Sequence, residues 1–288
     1  MSLENIKNIC VVGAGNMGHQ ISLSAALAGF KVACTDISQD MLNKAENFAH
    51  NYLAEQVAKG KLDQEQSGLA LANLSFTDSL EQAANDADFV IEAAVEKIDV
   101  KRKLFTELDR IAPPHAILTT NSSFIVSSKV ADATKRPDKV CNMHFFNPAL
   151  VMKLVEVVQG PHTSQETVQV TLDLCGKMGK IGVRVNKEIY GFLVNRILSA
   201  TLNEALFLAE IGVASPEDID VAVANGLGHP MGPFRLMDLA GIDLAYYSAM
   251  ERYQETHNPS DKPSTLIVEK FIKNELGRKT KKGFYTYK

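Results

Sequence analysis

Short apolar runs alternate with amphipathic segments through the first half of the chain. Ile6–Val12 is a continuous run rich in β-branched residues, which is typical of a strand buried on both faces. Further runs of this kind follow at Lys31–Asp36, Leu74–Phe76, Asp88–Ala93, Ala116–Thr120, Lys139–Phe145, Met152–Val158 and Ile181–Val185. Because the chain alternates strand with helix, the pattern predicts parallel βαβ units and a doubly wound α/β sheet.

One connection in this half is unusually long. About three dozen residues separate Asp36 from the strand near Leu74. They predict a helix over Gln39–Ala58, a turn at Lys59–Lys61 and a second helix. A helical pair inserted into a crossover is expected to project from its domain, and long insertions in compact domains are often functional.

The pattern changes near Asn186. From Glu188 to the end, helical periodicity dominates and little strand pattern remains. Helix-breaking segments fall at Gly212, Ser215-Pro216, Asn225–Pro233, Gly241 and Asn258-Pro259. The sequence therefore predicts an α/β domain over residues 1–187 and an all-α domain over residues 188–288.

Composition narrows the class of protein. Of the 288 residues, 45% are hydrophobic and 22% are charged, and the net charge is −4, which argues against a surface for binding nucleic acid. No apolar run approaches the roughly 20 residues of a membrane span, and the N-terminus lacks the pattern of a signal peptide. The four cysteines lie far apart in apolar segments without a C-x-x-C pair. They predict reduced core thiols, no metal site and a cytoplasmic protein.

A glycine-rich motif after the first strand is the strongest local indication of a ligand-binding site. Gly13, Gly15 and Gly18 form G-x-G-x-x-G at the start of a helix, and Asp36 follows 18 residues later at the end of the next strand. This context is that of a Rossmann-type dinucleotide site, in which the glycines admit a pyrophosphate at a helix N-terminus. A carboxylate at Asp36 would accept hydrogen bonds from a ribose diol and repel a 2′-phosphate. The prediction is therefore NAD rather than NADP, the alternative being a glycine-rich turn without a ligand.

Polar residues end two of the following strands. Thr119–Ser123 closes one strand on the side where ligands bind in parallel sheets, so its hydroxyls and amide could orient a substrate oxygen or nicotinamide, or simply cap a helix. His144 ends another strand, and Glu156 lies in the next. If those strands are adjacent, the carboxylate could fix the imidazole tautomer and stabilise its protonated form, as in acid–base catalysis. The alternative is a core histidine with a structural partner.

The first helix of the second half carries an uncharged polar stripe. Asn195, Ser199 and Asn203 recur every four residues beside an apolar face. Such a stripe favours contact with another domain or a ligand over contact with water. A subunit interface is the alternative.

Together these motifs resemble the 3-hydroxyacyl-CoA dehydrogenase family, in particular the short bacterial 3-hydroxybutyryl-CoA dehydrogenases. The resemblance covers nearly the whole chain, through VVGAGNMG, IEAAVEK, TTNSSF, HFFNPALVMKLVEVV, GFLVNRIL, GHPMGPFRLMDLAGID and GRKTKKGFYTYK. It implies that His144 is the acid–base residue and that Glu156 pairs with it. It further implies that Ser123 contacts the 3-oxygen and the cofactor, and that Asn195 completes the catalytic set.

The resemblance also implies the remaining ligand contacts. Those to the cofactor would fall on Gly13, Gly15, Asn16, Met17, Gly18, Asp36, Glu96, Lys101, Asn147 and Lys279. Lys59 is the nearest match to a lysine that contacts the CoA moiety. Departures from the usual family pattern stand at Leu150 and Tyr190, which replace prolines, and at Arg235, which replaces an acidic residue.

The expected activity is NAD-dependent interconversion of a short-chain L-3-hydroxyacyl-CoA and its 3-ketoacyl-CoA, in a homodimer formed through the helical domain. One alternative is a dehydrogenase of a free hydroxy acid or sugar acid on the same scaffold. Another is a non-catalytic NAD-binding protein. Activity with acetoacetyl-CoA but not with free acetoacetate would separate the expected enzyme from the dehydrogenase of a free acid.

Overall fold

The computed structural model describes all residues from Met1 to Lys288. Its eight strands are β1 (Asn8–Val12), β2 (Lys31–Thr35), β3 (Leu74–Thr77), β4 (Phe89–Glu92), β5 (Ile117–Thr120), β6 (Val140–Phe145), β7 (Leu154–Val158) and β8 (Ile181–Val185). The helices of the first unit are α1 (Gly18–Leu27), α2 (Gln39–Ala58), α3 (Gln64–Ala72), α4 (Leu80–Ala84), α5 (Ile98–Ile111), α6 (Ser128–Ala131) and α7 (Gln165–Lys177). Those of the second are α8 (Val194–Glu210), α9 (Pro216–Gly226), α10 (Pro233–Ala240), α11 (Ile242–Thr256) and α12 (Thr265–Ile272).

All eight strands form one sheet in the order β3-β2-β1-β4-β5-β6-β7-β8. The doubly wound α/β sheet predicted from the sequence is thus confirmed. The expectation of parallel pairing throughout is wrong at one place, because β6 and β7 pair antiparallel. The connection between them is too short for the crossover helix that a parallel pair needs. The consequence is that His144 faces Glu156 directly across the pair.

The central strands are buried on both faces, as their continuous apolar character predicts. Side chains alternate along each strand, so residues 9, 11, 89 and 91 pack into one apolar cluster and residues 10, 12 and 90 into another. The four cysteines are free and buried. Burial raises the pKa of the Cys34 thiol to about 11 and that of Cys141 to about 12, so both remain protonated at neutral pH.

The inserted helical pair lies against the rest of its unit. Ser38 caps α2, since its side chain accepts from Met41 N, and Asp63 caps α3 through a reciprocal pair with Gln66. Both helices pack against α1 in one apolar cluster that contains Leu23, Ala49, Leu53 and Ala70. The expected projection therefore holds only for the exposed turn at residues 59–61, because the apolar stripe of α2 needs a partner.

The chain divides into two compact units, Met1–Leu193 and Val194–Lys288, a few residues after the boundary predicted from the change to helical periodicity. Five helices build the second unit around buried residues that include Phe234, Met237 and Ile242. Two buried carboxylates pin its C-terminal end. Asp238 accepts from Phe284 N and Tyr285 N, both at 2.9 Å, and Asp220 accepts from the Tyr285 hydroxyl at 2.8 Å. None of the twelve helices combines the length and apolar character that a membrane span requires.

Candidate active site

The C-terminal ends of β4 and β5 and the loop after β1 surround a cavity of about 360 Å³. This is the position in which ligands bind in parallel sheets. The residues that line the cavity are Asn16, Met17, Ala93, Ala94, Glu96, Lys101, Asn121, Ser122, Ser123 and Phe124. Most of the residues predicted to bind the cofactor or substrate from the first unit therefore lie on this wall or beside it.

The glycine-rich loop has the shape that a dinucleotide needs. Gly13 has φ +103°, and a Cβ there would lie 2.6 Å from Ala93 O. A Cβ on Gly18 would lie 1.7 Å from Gly13 O, so only glycine lets α1 start this close to the loop. At Gly15, by contrast, a Cβ would meet nothing within 4 Å. The open side at Gly15, next to the N-terminus of α1, leaves room for a pyrophosphate.

Asp36 stands beside this loop at the end of β2. One carboxylate oxygen, Oδ2, accepts from Ala14 N at 2.8 Å, and the other accepts from Ser38 N at 2.9 Å. Each oxygen keeps a further lone pair, and the side chain is only half-buried. A fixed, accessible carboxylate next to a phosphate-binding loop fits the ribose diol of NAD. The residues present therefore suit this cofactor.

His144 makes the contacts of an oriented acid–base residue. The side chain is 3% exposed, and its Nδ1 lies 2.9 Å from Oε2 of Glu156, which is itself fully buried. An ionised carboxylate can only accept, so Nδ1 carries the hydrogen in neutral His144. The other nitrogen, Nε2, lies 3.0 Å from Oγ of Ser123. That nitrogen is left with a lone pair that can take a proton.

The surroundings of the pair hold it in place. The His144 ring packs edge-on against Phe146, with ring centroids 4.6 Å apart, and against Phe192 at 5.4 Å. Oε1 of Glu156 accepts from the backbone N–H of Leu193 at 3.0 Å. Phe192 has a left-handed φ of +48°, which is strained for a bulky residue. The contacts of Phe192 and Leu193 with the pair were not predicted from the sequence.

The segment Thr119–Ser123 makes structural hydrogen bonds, and one of its members also contacts His144. Asn121 accepts from a backbone N–H of β6 at 2.9 Å, and Ser122 accepts from the N–H of residue 125 at 2.7 Å. These contacts are structural and resemble a cap. Ser123 is the member that reaches the imidazole of His144. It lies half-buried on the cavity wall.

A buried charge cluster closes the other side of the cavity. Lys101 is 1% exposed, and its Nζ donates to Oε1 of Glu92 at 2.6 Å and lies 3.4 Å from Oε2 of Glu96. Glu92 is fully buried and was not identified from the sequence. The sequence does contain a feature that could have identified Glu92. It is a carboxylate within the apolar run Phe89–Ala93, where an unpaired charge would be costly.

The loop after β6 meets the glycine-rich loop. Asn16 donates through Nδ2 to Oδ1 of Asn147 at 3.1 Å. Both side chains are exposed, and Met17, next to Asn16, lines the cavity. The predicted cofactor residues Asn16, Met17 and Asn147 therefore lie together.

Three predicted residues lie elsewhere. Asn195 is half-buried on the first turn of α8, and Lys279 is an exposed residue that pairs with Asp243, both within the second unit. Lys59 follows the last residue of α2, is exposed, and pairs with Glu55 one turn earlier.

One of the departures from the family pattern, Tyr190, contacts Phe124. The ring of Tyr190 stacks on that of Phe124, with centroids 4.9 Å apart and an angle of 23° between the planes. Phe124 lines the cavity, so Tyr190 packs against a residue of the cavity wall. Leu150 packs into the apolar cluster beneath the inserted helices, and Arg235 lies over the ring of Tyr285, 4.3 Å from its centroid.

Comparison with known proteins agrees with this arrangement. The model of the 3-hydroxyacyl-CoA dehydrogenase NAD binding domain matches residues 8–189, and that of the 3-hydroxyacyl-CoA dehydrogenase C-terminal domain matches residues 191–287. A protein of Bacillus subtilis named probable 3-hydroxybutyryl-CoA dehydrogenase is 40% identical over 98% of both chains.

Solved structures are similar over the same length. The (S)-3-hydroxybutyryl-CoA dehydrogenase of Ralstonia eutropha is 37% identical, with a TM-score of 0.92 over 99% of this chain and 100% of that one. A diketoreductase described as acting on dicarbonyl compounds is 33% identical, with a TM-score of 0.87 over 98% of this chain and 99% of that one.

Proposed function

This chain belongs to the 3-hydroxyacyl-CoA dehydrogenase family, and from that premise we propose that it interconverts a short-chain L-3-hydroxyacyl-CoA, foremost 3-hydroxybutyryl-CoA, and its 3-ketoacyl-CoA. Its cofactor is NAD. The observation that carries the proposal is the contact of His144 Nε2 with Ser123 Oγ beside the dinucleotide cavity, 3.0 Å long. It leaves a proton acceptor and a hydroxyl donor where an alcohol oxygen could bind.

We propose that His144 moves the proton of the reaction. In oxidation, Nε2 takes the proton of the 3-hydroxyl group while the hydrogen at C3 leaves as a hydride. In reduction, the imidazolium returns that proton to the oxygen. When bound, the nicotinamide of NAD supplies the hydride acceptor or donor. The Nδ1–Glu156 contact of 2.9 Å supports this role, because it keeps Nε2 unprotonated in the neutral ring.

Glu156 would balance the charge that His144 gains. A carboxylate 2.9 Å from Nδ1 stabilises the imidazolium and holds the ring in one orientation. Ser123 and Asn195 would donate hydrogen bonds to the substrate oxygen. Reduction of a ketone builds negative charge on that oxygen, so positioned donors act where charge develops.

The cofactor would be held by the residues at the sheet edge. The open backbone at Gly15 and the start of α1 would receive the pyrophosphate, and Asp36 the adenosine ribose diol. Glu96, Lys101 and Asn147 would contact the nicotinamide half from the cavity side. We also propose Lys279 as a cofactor contact from the second unit.

A non-CoA substrate is the second candidate. The observation that favours it is the likeness to the diketoreductase, whose described substrates are dicarbonyl compounds. The same proton transfer by His144 would serve either substrate, so the geometry of the pair does not choose between them. The choice depends on whether the CoA moiety contributes to binding.

A steady-state assay decides the substrate. With NADH in excess, we expect acetoacetyl-CoA to be reduced with a kcat/KM at least about 100-fold above that of free acetoacetate, because remote binding energy supports the chemical step. A series of 3-ketoacyl-CoA substrates from C4 to C16 then gives the chain-length preference. Equal kcat/KM for acetoacetyl-CoA and acetoacetate would favour the second candidate. No turnover of any carbonyl compound would indicate a non-catalytic NAD-binding protein.

The turn at Lys59 is proposed to bind the CoA moiety. Lys59→Ala is expected to raise KM for acetoacetyl-CoA about three- to tenfold with little change in kcat, because it removes binding that is equal in the ground and transition states. Lys44→Ala is the matched control, since Lys44 is exposed on the same helix about four turns away. An unchanged KM in Lys59→Ala, or the same rise in Lys44→Ala, would remove Lys59 from the site.

We further propose that the second unit forms a homodimer. Its surface carries many exposed large apolar side chains, among them Ile197, Phe207, Ile211, Val213, Val221, Leu227, Leu244 and Tyr247. Exposed apolar area on this scale supports a protein interface. Sedimentation equilibrium should give twice the chain mass of 31.5 kDa, and a monomeric mass at micromolar concentration would contradict the proposal.

A further inference from the structure

Glu92 is a buried carboxylate that the proposed mechanism does not use. It ends β4 and is fully shielded from solvent. Its two oxygens accept three hydrogen bonds, from Ala94 N at 2.7 Å, from Nζ of Lys101 at 2.6 Å and from Oγ1 of Thr120 at 2.6 Å. Glu92 is thus a carboxylate shielded from solvent whose hydrogen bonds all come from donors of the protein.

The cluster around Glu92 carries an excess of negative charge. Lys101 lies between two carboxylates, with its Nζ 2.6 Å from Glu92 and 3.4 Å from Glu96. Glu96 also receives hydrogen bonds from neutral donors, the Ser122 hydroxyl and the backbone N–H groups of residues 124 and 125. Two carboxylates and one ammonium sum to −1. Of the residues that line the cavity, only Glu96 and Lys101 are charged, so nothing on this wall offsets that charge.

The two redox states of the cofactor differ in charge at the nicotinamide ring. The oxidised ring carries one positive charge, and the reduced ring is neutral. A net negative charge beside the ring favours the positively charged form. This attraction is stronger than that between two exposed charges, because Glu92 and Lys101 are shielded from solvent. This step rests on the proposed function, which requires the nicotinamide to lie beside Ser123 and His144 and hence next to this wall.

We propose that Glu92 determines the preference of the site between oxidised and reduced cofactor. By keeping the cluster with Glu96 and Lys101 at a net charge of −1, it strengthens binding of NAD⁺ relative to NADH. Glu92 does this without touching the substrate or the cofactor. It is a specificity-determining residue behind the wall, and Lys101 carries its effect to the cavity surface.

Charge can be varied at this cluster in both directions. Glu92→Gln keeps the shape and changes the net charge from −1 to 0. Lys101→Met changes it to −2. The double variant Glu92→Gln/Lys101→Met removes one charge of each sign and returns it to −1 with Glu96 alone.

The test is the ratio of the dissociation constants of NAD⁺ and NADH, measured by calorimetry and NADH fluorescence without any acyl-CoA. Lys101 is also a proposed contact to the cofactor, and the ratio cancels any contact that the two forms share. We expect the ratio Kd(NAD⁺)/Kd(NADH) to rise on the order of tenfold in Glu92→Gln, the effect of one unit charge across about 10 Å. It should fall by a similar factor in Lys101→Met and return to within about twofold of wild type in the double variant.

Two further variants keep the test decisive. Glu96 is 38% exposed in its side chain, so Glu96→Gln removes one charge from the same cluster while leaving the buried pair intact, and the ratio should again rise. Glu107→Gln is the matched control. It removes a solvent-exposed charge from α5, the helix that carries Lys101, and should leave the ratio unchanged.

An unchanged ratio in both Glu92→Gln and Glu96→Gln, or a double variant that differs from wild type as much as either single variant, would overturn the proposal. Binding constants need no turnover. A protein that binds NAD but does not reduce acetoacetyl-CoA would therefore refute the proposed function and leave this inference open to the same test.

Discussion

Replacing His144 with Gln is expected to lower kcat for acetoacetyl-CoA by about 10²–10⁴-fold while NADH binding survives. Gln fills much of the same space and can still form a hydrogen bond with Ser123, but it cannot carry a proton near neutral pH. Because His144 is buried against Phe146 and Phe192, a side chain of similar size also limits the loss of packing. Stopped-flow single turnover would separate the chemical step from product release, and fluorescence titration would follow NADH binding.

Glu156→Gln is expected to lower kcat as well, for two reasons that the geometry makes explicit. The carboxylate accepts from His144 Nδ1 through one oxygen and from the backbone N–H of Leu193 through the other. An amide has a single acceptor oxygen, so it cannot serve both donors. If that oxygen stays with Leu193, the amide NH₂ faces Nδ1 and favours the tautomer with a hydrogen on Nε2. That tautomer cannot take the proton of the substrate.

The second reason is charge. The negative charge of Glu156 stabilises the imidazolium of His144, and reduction needs that imidazolium as its proton donor. Glu156→Gln removes this charge, so the single-turnover rate of acetoacetyl-CoA reduction should fall. An unchanged rate in Glu156→Gln would mean that the carboxylate does not serve the imidazole.

The double variant tests whether the two residues act as one unit. Groups that act together are strongly non-additive, so His144→Gln/Glu156→Gln should lose much less than the product of the two single losses. Full multiplicativity would leave Glu156 with a structural role only. Thermal melting is the control: the single and double variants should melt at the wild-type temperature, since a general loss of packing would lower stability in all of them.

Local patterns in the sequence predicted the parts of the fold that depend on near neighbours. The helix Gln39–Ala58 was predicted with the bounds it has, because Ser38 caps it and Gly60 follows it. The glycine-rich motif was recognisable because strand, turn, helix and Asp36 fall within 30 residues. His144 and Glu156 could be suspected as a pair because a single short loop separates their strands.

Features that depend on distant contacts were not accessible in this way. The antiparallel pairing of β6 with β7 follows from the path of the chain rather than from the apolar pattern of either strand. The pairing of Glu92 with Lys101 joins a strand end to the following helix, and its hydrogen bond to Thr120 comes from a third element. Phe192, which packs on His144, has a left-handed backbone conformation that its bulky residue type does not predict.

Asp36→Ala is expected to reduce kcat/KM for NADH roughly 10- to 100-fold and to leave that for NADPH nearly unchanged or higher. Loss of a hydrogen bond from the ribose diol to a charged acceptor is worth about 1.5–3 kcal/mol, which corresponds to this range. The same change removes the negative charge that repels a 2′-phosphate, so for NADPH the lost contact and the lost repulsion oppose each other. The measured quantity is the ratio of kcat/KM for the two cofactors at a fixed acetoacetyl-CoA concentration.

The structural role of Asp36 has to be separated from its role toward the ribose. Its carboxylate also accepts from Ala14 N and Ser38 N, so Asp36→Ala loosens the glycine-rich loop and the start of α2. Such loosening would weaken NADH and NADPH alike, because both bind the same loop. Asp36→Asn keeps one acceptor oxygen and loses the charge, and it should move the cofactor ratio in the same direction with a smaller loss for NADH. Equal losses with both cofactors in both variants would assign Asp36 to the loop alone and require another residue to select NAD.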